Sequence, residues 1–364
     1  MIPLVRPILG SQEKEIISQI IDSGMIASGA YVTQFENECA GLWGSRYAVA
    51  TSNGTTALHA ALLAAGIKQG DEVLTTPLSF IATANSILYC GARPVFADID
   101  PADFNLSPEK AEAALKKNKR IRAVLLVHLY GTPCDMDAFM YLKNKYGFIL
   151  LEDCAQAHGA LYKGKAVGTF GRAGAFSFYA TKNMTTGEGG IILSGNSSVE
   201  KLARCAINHG RKDHSTFDML GYNYRMTNIS AGIGLVQLKH LADWNAARLN
   251  NAKFFNSNLE GLSFLQTPQI KESTMPVFHQ YTVRVSPAAR AAFAKYLTEN
   301  GIGSGIHYPG VMYLQPSYRA LGFKKGLCPE AERAAREVIS IPVHPSLSRE
   351  NLEHIVKVIR KFKK

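Results

Sequence analysis

From about Tyr47 onward, short apolar runs alternate with stretches patterned as helices. Tyr47–Thr51, Glu72–Thr75 and Pro94–Ala97 read as strands, with Thr56–Ala65 and Ala82–Tyr89 as helices between them. Ala123–Val127 and Phe148–Leu151 are apolar without interruption, the pattern of strands covered on both faces. This alternation predicts an α/β layer with a largely parallel sheet. Ser230–Leu259 reads as a helix leaving that layer. Beyond it, a strand at Tyr281–Val285 and helices at Ala288–Asn300 and Glu330–Val338 predict a smaller C-terminal α+β domain. The expected division is an N-terminal arm and large domain over 1–240 and a small domain over 241–364.

Composition narrows the class. The 364 residues are 46% apolar and 19% charged, which suits a globular chain with a sizeable core. No run approaches the ~18 apolar residues of a membrane helix. The N-terminus turns polar too early for a signal peptide, so the cytoplasm is the expected compartment and no membrane partner is expected. Six cysteines lie far apart without metal-ligand spacing, which predicts buried thiols and no metal site. The net charge of +11 suits an anionic partner. Its basic runs, Lys116–Arg120 and Lys361–Lys364, accompany no nucleic-acid motif and read as solvated surface.

In open α/β sheets, ligands bind beyond the carboxyl ends of the strands, so the polar clusters after each apolar run carry the candidate chemistry. Ser52-Asn53-Gly54-Thr55-Thr56 offers N–H groups, hydroxyls and a helix dipole to a phosphate, although a plain helix cap uses the same residues. Asp153, directly after a buried strand, needs either a cation or a capping role. Lys182 sits in a Ser/Thr/Gly-rich loop, five residues after Ser177 and just before Gly187-Glu188-Gly189-Gly190. That setting suits a desolvated, nucleophilic amine. Two further clusters, His209-Gly210-Arg211 with Gly221–Asn228 and Gly305-Ile306-His307-Tyr308-Pro309, suit either substrate binding or hydrogen bonding between domains.

Together and in this order, these clusters resemble the DegT/DnrJ/EryC1/StrS sugar aminotransferases. The likeness also takes in Ser23–Gly29, Pro77–Asn85, Gly91–Asp100, His128–Gly131 and Ser340–Ser348. It implies the three-layer fold type I of pyridoxal 5'-phosphate (PLP) enzymes, with PLP bound in the large domain. By position, Lys182 would hold PLP as a Schiff base and move the substrate proton. Asp153 would pair with the pyridinium nitrogen, and Gln156 would lie beside the phenolic oxygen. Gly54, Thr55, Thr56 and Ser177 would take the phosphate, and Phe80 would stack on the ring. Asn223 would reach the cofactor of a second subunit, implying a homodimer with shared sites. His307, Tyr308, Tyr313 and Arg211 would face the substrate. The implied reaction is ping-pong, with the cofactor cycling between PLP and pyridoxamine phosphate (PMP). Nitrogen passes from L-glutamate to a nucleotide-linked keto-sugar, making an amino sugar for polysaccharide, glycan or secondary-metabolite assembly.

The chain departs from the family pattern at Tyr313, where a second His is frequent, and at Asn228, Ser230 and Cys154. A PMP-dependent sugar dehydratase shares the fold but carries His where this chain has Lys182. Transfer to a keto-cyclitol and a PLP-binding regulator without turnover are the alternative readings.

Overall fold

The computed structural model describes residues 1–363; Lys364, the end of the basic tail, lies outside them. Seven strands form the central sheet: Tyr47–Thr51 (β1), Glu72–Thr75 (β2), Arg93–Phe96 (β3), Ile121–Val127 (β4), Ile149–Asp153 (β5), Ala173–Ser177 (β6) and Gly190–Ser194 (β7). Their order is β1-β7-β6-β5-β4-β2-β3. β7 pairs antiparallel with both neighbours, while β2, β3, β4, β5 and β6 pair in parallel. Six strands therefore run one way and β7 alone runs the other.

The uninterrupted apolar runs follow from burial on both faces. Ala123, Leu125 and Leu151 face a core shared with Ala57, Ala61 and Leu62 of the Gly54–Ala64 helix. Val124, Leu126 and Leu150 face the opposite core, with Leu115, Phe139 and Leu142. Each fully buried aliphatic side chain contributes roughly 1.5–3 kcal/mol. Because six strands share a direction, the loops after β1, β2, β4, β5 and β6 gather at one edge of the sheet.

Three short strands, Leu265–Gln266, Tyr281–Val285 and Val338–Ile341, form an antiparallel sheet in the C-terminal region. It packs against Phe255, Phe293 and Ile355. The expected helix at Glu330–Val338 ends at Glu337, and Val338 opens a strand instead. Its start is fixed from a distance, since the Glu330 and Ala331 N–H groups each donate 2.9 Å bonds to the Asp98 carboxylate. The division at 240/241 falls inside one continuous helix, Asn228–Leu259. Its first half (Ala231, Leu235, Leu241) packs with Phe35 and Phe178, and its last part (Ala252, Phe255, Leu259) packs in the C-terminal core. Tyr313, Tyr318 and Ala331 return to pack on Leu78 and Phe96 of the first region, so the two halves share a core. No helix among the described residues is long and apolar enough to cross a membrane.

Candidate active site

The shared edge brings most of the expected residues together. Asp153 ends β5 and is only 4% exposed. Its Oδ2 accepts from the Thr83 hydroxyl at 2.7 Å and its Oδ1 from the Ala155 N–H at 3.1 Å. Burial pushes its pKa up; Thr83, Ala155 and the charges of Lys182 and His128 oppose that rise. Two donors leave a buried carboxylate short of partners, and a cationic ring nitrogen would supply what is missing.

Lys182 is half-buried in the loop after β6. Burial lowers its pKa to about 8, against the opposing charge of Asp153. Its amine is thus more readily neutral, and more nucleophilic, than a solvated lysine. The next residue anchors the loop. Asn183 Nδ2 donates to Asn245 Oδ1 and to the Val277 carbonyl, both at 2.9 Å, and its Oδ1 lies 3.3 Å from His279 Nδ1. Asn245 in turn donates to the His158 carbonyl at 2.7 Å.

A second wall lies where the Gly54–Ala64 helix starts. Gly54 presses against Ser177 so closely that a Cβ there would sit 2.4 Å from the Ser177 Cβ. Asn53 caps the helix, accepting from the Thr56 N–H at 2.9 Å. The Thr56 hydroxyl accepts from the Asn53 N–H at 3.1 Å and donates to the Asn53 carbonyl at 2.8 Å, so it is committed to the cap. Among the described residues, the Gly54 and Thr55 N–H groups find no acceptor. Free N–H groups, a helix dipole and the Ser177 hydroxyl form an anion cradle.

Gln156 bridges the third wall. Its Oε1 accepts from the Tyr130 N–H at 2.6 Å and its Nε2 donates to the Tyr308 hydroxyl at 3.0 Å. The Tyr130 hydroxyl donates to the His307 carbonyl, which draws the His307-Tyr308 segment onto the sheet edge. Burial, aided by the charge of Lys182, lowers the pKa of His307. Phe80 is 57% exposed, its ring 6.1 Å from that of Tyr308 at an interplanar angle of 40°. An aromatic left open at a polar edge is available to stack on a planar ligand.

Three expected residues lie elsewhere. Tyr313 is fully buried, donating to Glu332 Oε1 at 2.7 Å and accepting from the Cys328 N–H at 3.0 Å. Its hydroxyl is spent, so the expectation that it contacts substrate is corrected: it is a core residue. Arg211 is exposed, its guanidinium 5.4 Å over the Phe217 ring, and does not join the Lys182 group within this chain. Asn223 is exposed beside Asn208, also apart from that group. Asn228 has a plain structural use, holding the N-terminal segment through Met25 O at 2.7 Å and the Val32 N–H at 3.3 Å.

His128, Glu152 and Cys154 cluster tightly enough to suggest a metal. The donor atoms of His128 and Glu152 are committed, however. Glu152 accepts from the N–H groups of Gly168, Phe170 and Gly171, and His128 spans Glu152 and the Cys134 N–H. The cluster ties loops to β5. Thr83, Asn183, Asn245 and His279 carried no separate signal in the sequence, because their roles exist only through partners distant along the chain.

The walls fit a flat anionic heterocycle: an underpaired carboxylate for a ring nitrogen, an open aromatic for a ring face, unused N–H groups for a phosphate. Residues 7–360 match the model of the DegT/DnrJ/EryC1/StrS aminotransferase family. The chain belongs to that family. It is 37% identical to the GDP-perosamine synthase of Escherichia coli O157:H7 over 99% of this chain and 98% of that one. It is 38% identical to the UDP-N-acetyl-3-dehydro-alpha-D-glucosamine 3-aminotransferase of Acidithiobacillus ferrooxidans, over 95% and 92%. DesV of S. venezuelae superposes with a TM-score of 0.92 at 34% identity, covering 96% of this chain and 93% of the other. A Streptococcus pneumoniae neighbour solved in its PMP form reaches 0.91 at 26% identity, over 98% and 96%. As a member, this chain is a PLP-dependent aminotransferase, its cofactor cycling between PLP and PMP.

Proposed function

We propose that the enzyme moves nitrogen from L-glutamate to a nucleotide-linked keto-sugar, acting as a cytoplasmic homodimer. The observation that carries this reading is the meeting of Lys182 and Asp153 at one sheet edge, within a chain of this family. The relatives named for GDP- and UDP-linked sugars support the acceptor class. When bound, PLP supplies an electron sink for the carbon that exchanges its amino group.

The protein's residues do the rest. Lys182 attaches the cofactor and then, freed, moves a proton through its Nζ, which a depressed pKa suits. Asp153, held by Thr83 and Ala155, keeps the ring nitrogen protonated. Gly54, Thr55 and Ser177 take the phosphate, Phe80 stacks on the ring, and Gln156 orients its oxygen. His307 and Tyr308, fixed by Tyr130 and Gln156, face the acceptor. Exposed Asn223 and Arg211 act across the dimer, completing a partner's site. The large PLP-binding domain runs to about the middle of the Asn228–Leu259 helix, and the small domain follows.

The test is the absorption spectrum of the protein with PLP, before and after L-glutamate. A yellow band that bleaches in the wild type, and is absent in Lys182→Ala, is the expected result. A band retained in Lys182→Ala would remove Lys182 from its role. A wild-type band that no amino donor bleaches would favour a regulator without turnover.

A further inference from the structure

Arg248 lies one turn beyond Asn245 on the Asn228–Leu259 helix and is only 5% exposed. Its Nη1 donates to the carbonyls of Phe278 and His279 at 3.2 and 3.4 Å, while Nε has no partner among the described residues. No carboxylate among the described residues acts on it: burial alone lowers its pKa, to about 10, so it stays cationic at neutral pH. Arginines are rarely buried unpaired. By contrast Arg284, whose side chain is 11% exposed, meets Glu337.

The guanidinium lines a cavity of about 10 Å³ whose walls include Lys182, Trp244, Pro345 and the arm residue Arg6. That volume holds roughly one water-sized atom, which is the size of one carboxylate oxygen. His344, close enough to feel the charges of Arg248 and Arg6, has an unpartnered Nδ1. Lys182, Arg248 and Arg6 act on one or more of His158, His279 and His344, so the surroundings are largely cationic, with Asp153 acting against Lys182.

We infer that Arg248 seats a carboxylate of the amino donor, its free Nε–H donating to one carboxylate oxygen, with Arg6 a second cation lining the same cavity. This rests on the dicarboxylate donor proposed above. Such a charge-assisted bond accounts for about 10- to 100-fold in donor affinity.

The test compares holoenzymes of the wild type, Arg248→Met and Arg248→Lys. Donor kinetics are read from bleaching by L-glutamate, and binding of glutarate is read by calorimetry. We expect Arg248→Met to raise the KM for L-glutamate, and to weaken glutarate, by about 10- to 100-fold. The keto-sugar KM and the cofactor band should hold steady, with Arg248→Lys intermediate. The cofactor band and thermal unfolding report whether each variant is folded, and Arg248→Lys carries the test if Arg248→Met does not fold. A wild type that bleaches with L-glutamate, beside folded variants of unchanged KM and glutarate affinity, overturns the carboxylate seat alone. A wild type bleached by neutral but not acidic amino donors overturns the donor reading, and the seat with it.

Discussion

Asp153 and Tyr313 are both buried polar side chains in segments that resemble family motifs, yet they have opposite standing in the structure. Asp153 carries two hydrogen bonds and a pKa pushed up by burial, a carboxylate with capacity left over. The Tyr313 hydroxyl both donates and accepts, to Glu332 and from Cys328, inside an aromatic core with Phe96 and Phe323. The difference lies in unmet valence. A buried group whose partners are complete holds the fold, whereas one left short is open to a ligand.

The sharpest way to break this comparison is to neutralise Asp153. Asp153→Asn keeps the shape and one of the two accepted bonds, and removes the charge that would hold a ring nitrogen protonated. Turnover should fall by at least about 10³-fold, on the order of 4 kcal/mol of barrier, while PLP still binds. Steady-state transamination beside cofactor titration checks both halves. Retained turnover would mean that the shortfall at Asp153 is met by something other than the cofactor.

Tyr313→Phe probes the other member. Losing the hydroxyl leaves Glu332 Oε1 with the Gly326 N–H but without Tyr313, and leaves the Cys328 N–H without an acceptor. The expected cost is about 1–3 kcal/mol of stability, read from denaturant unfolding. The KM for the keto-sugar should stay within about twofold. A large KM change with little loss of stability would return Tyr313 to the acceptor site.

The fold was legible because burial on two faces writes itself into the chain as unbroken apolar runs, as in β4 and β5. The loops at their carboxyl ends then had to meet at one edge, which is why Asp153 and Lys182 could be picked out from their surroundings, while Gln156 and the phosphate role of Ser177 came from the family resemblance. What stayed hidden depends on contacts across long separations. Asn183 reaches its partners only through Asn245 and Val277. Arg248 reads in sequence as one more helix arginine, since nothing local reveals that no carboxylate will meet it. Tyr313 misled because motif position fixes where a residue lies in the chain, not whether its hydroxyl is spent. The strand at Val338 was hidden likewise, because the strand it pairs with, Tyr281–Val285, lies far upstream.

The smallest expected effect divides two adjacent threonines at the Gly54–Ala64 helix. The resemblance treats Thr55 and Thr56 alike as phosphate ligands, but the geometry separates them. Thr56 spends its hydroxyl in the reciprocal cap with Asn53, whereas Thr55 makes no side-chain hydrogen bond among the described residues. Thr56→Val should therefore cost about 1 kcal/mol of stability, the ordinary loss for a broken cap, with PLP affinity little changed. Thr55→Val should do the reverse, weakening PLP by roughly fivefold to tenfold, as befits one lost hydrogen bond of ~1–1.5 kcal/mol, and leaving unfolding of the cofactor-free protein where it was. Thermal unfolding without cofactor and fluorescence titration with PLP read the two quantities separately. If both variants weakened PLP equally, the Thr56 hydroxyl would have to leave its cap when phosphate arrives, and the unpaired N–H groups of Gly54 and Thr55 would no longer suffice as the cradle.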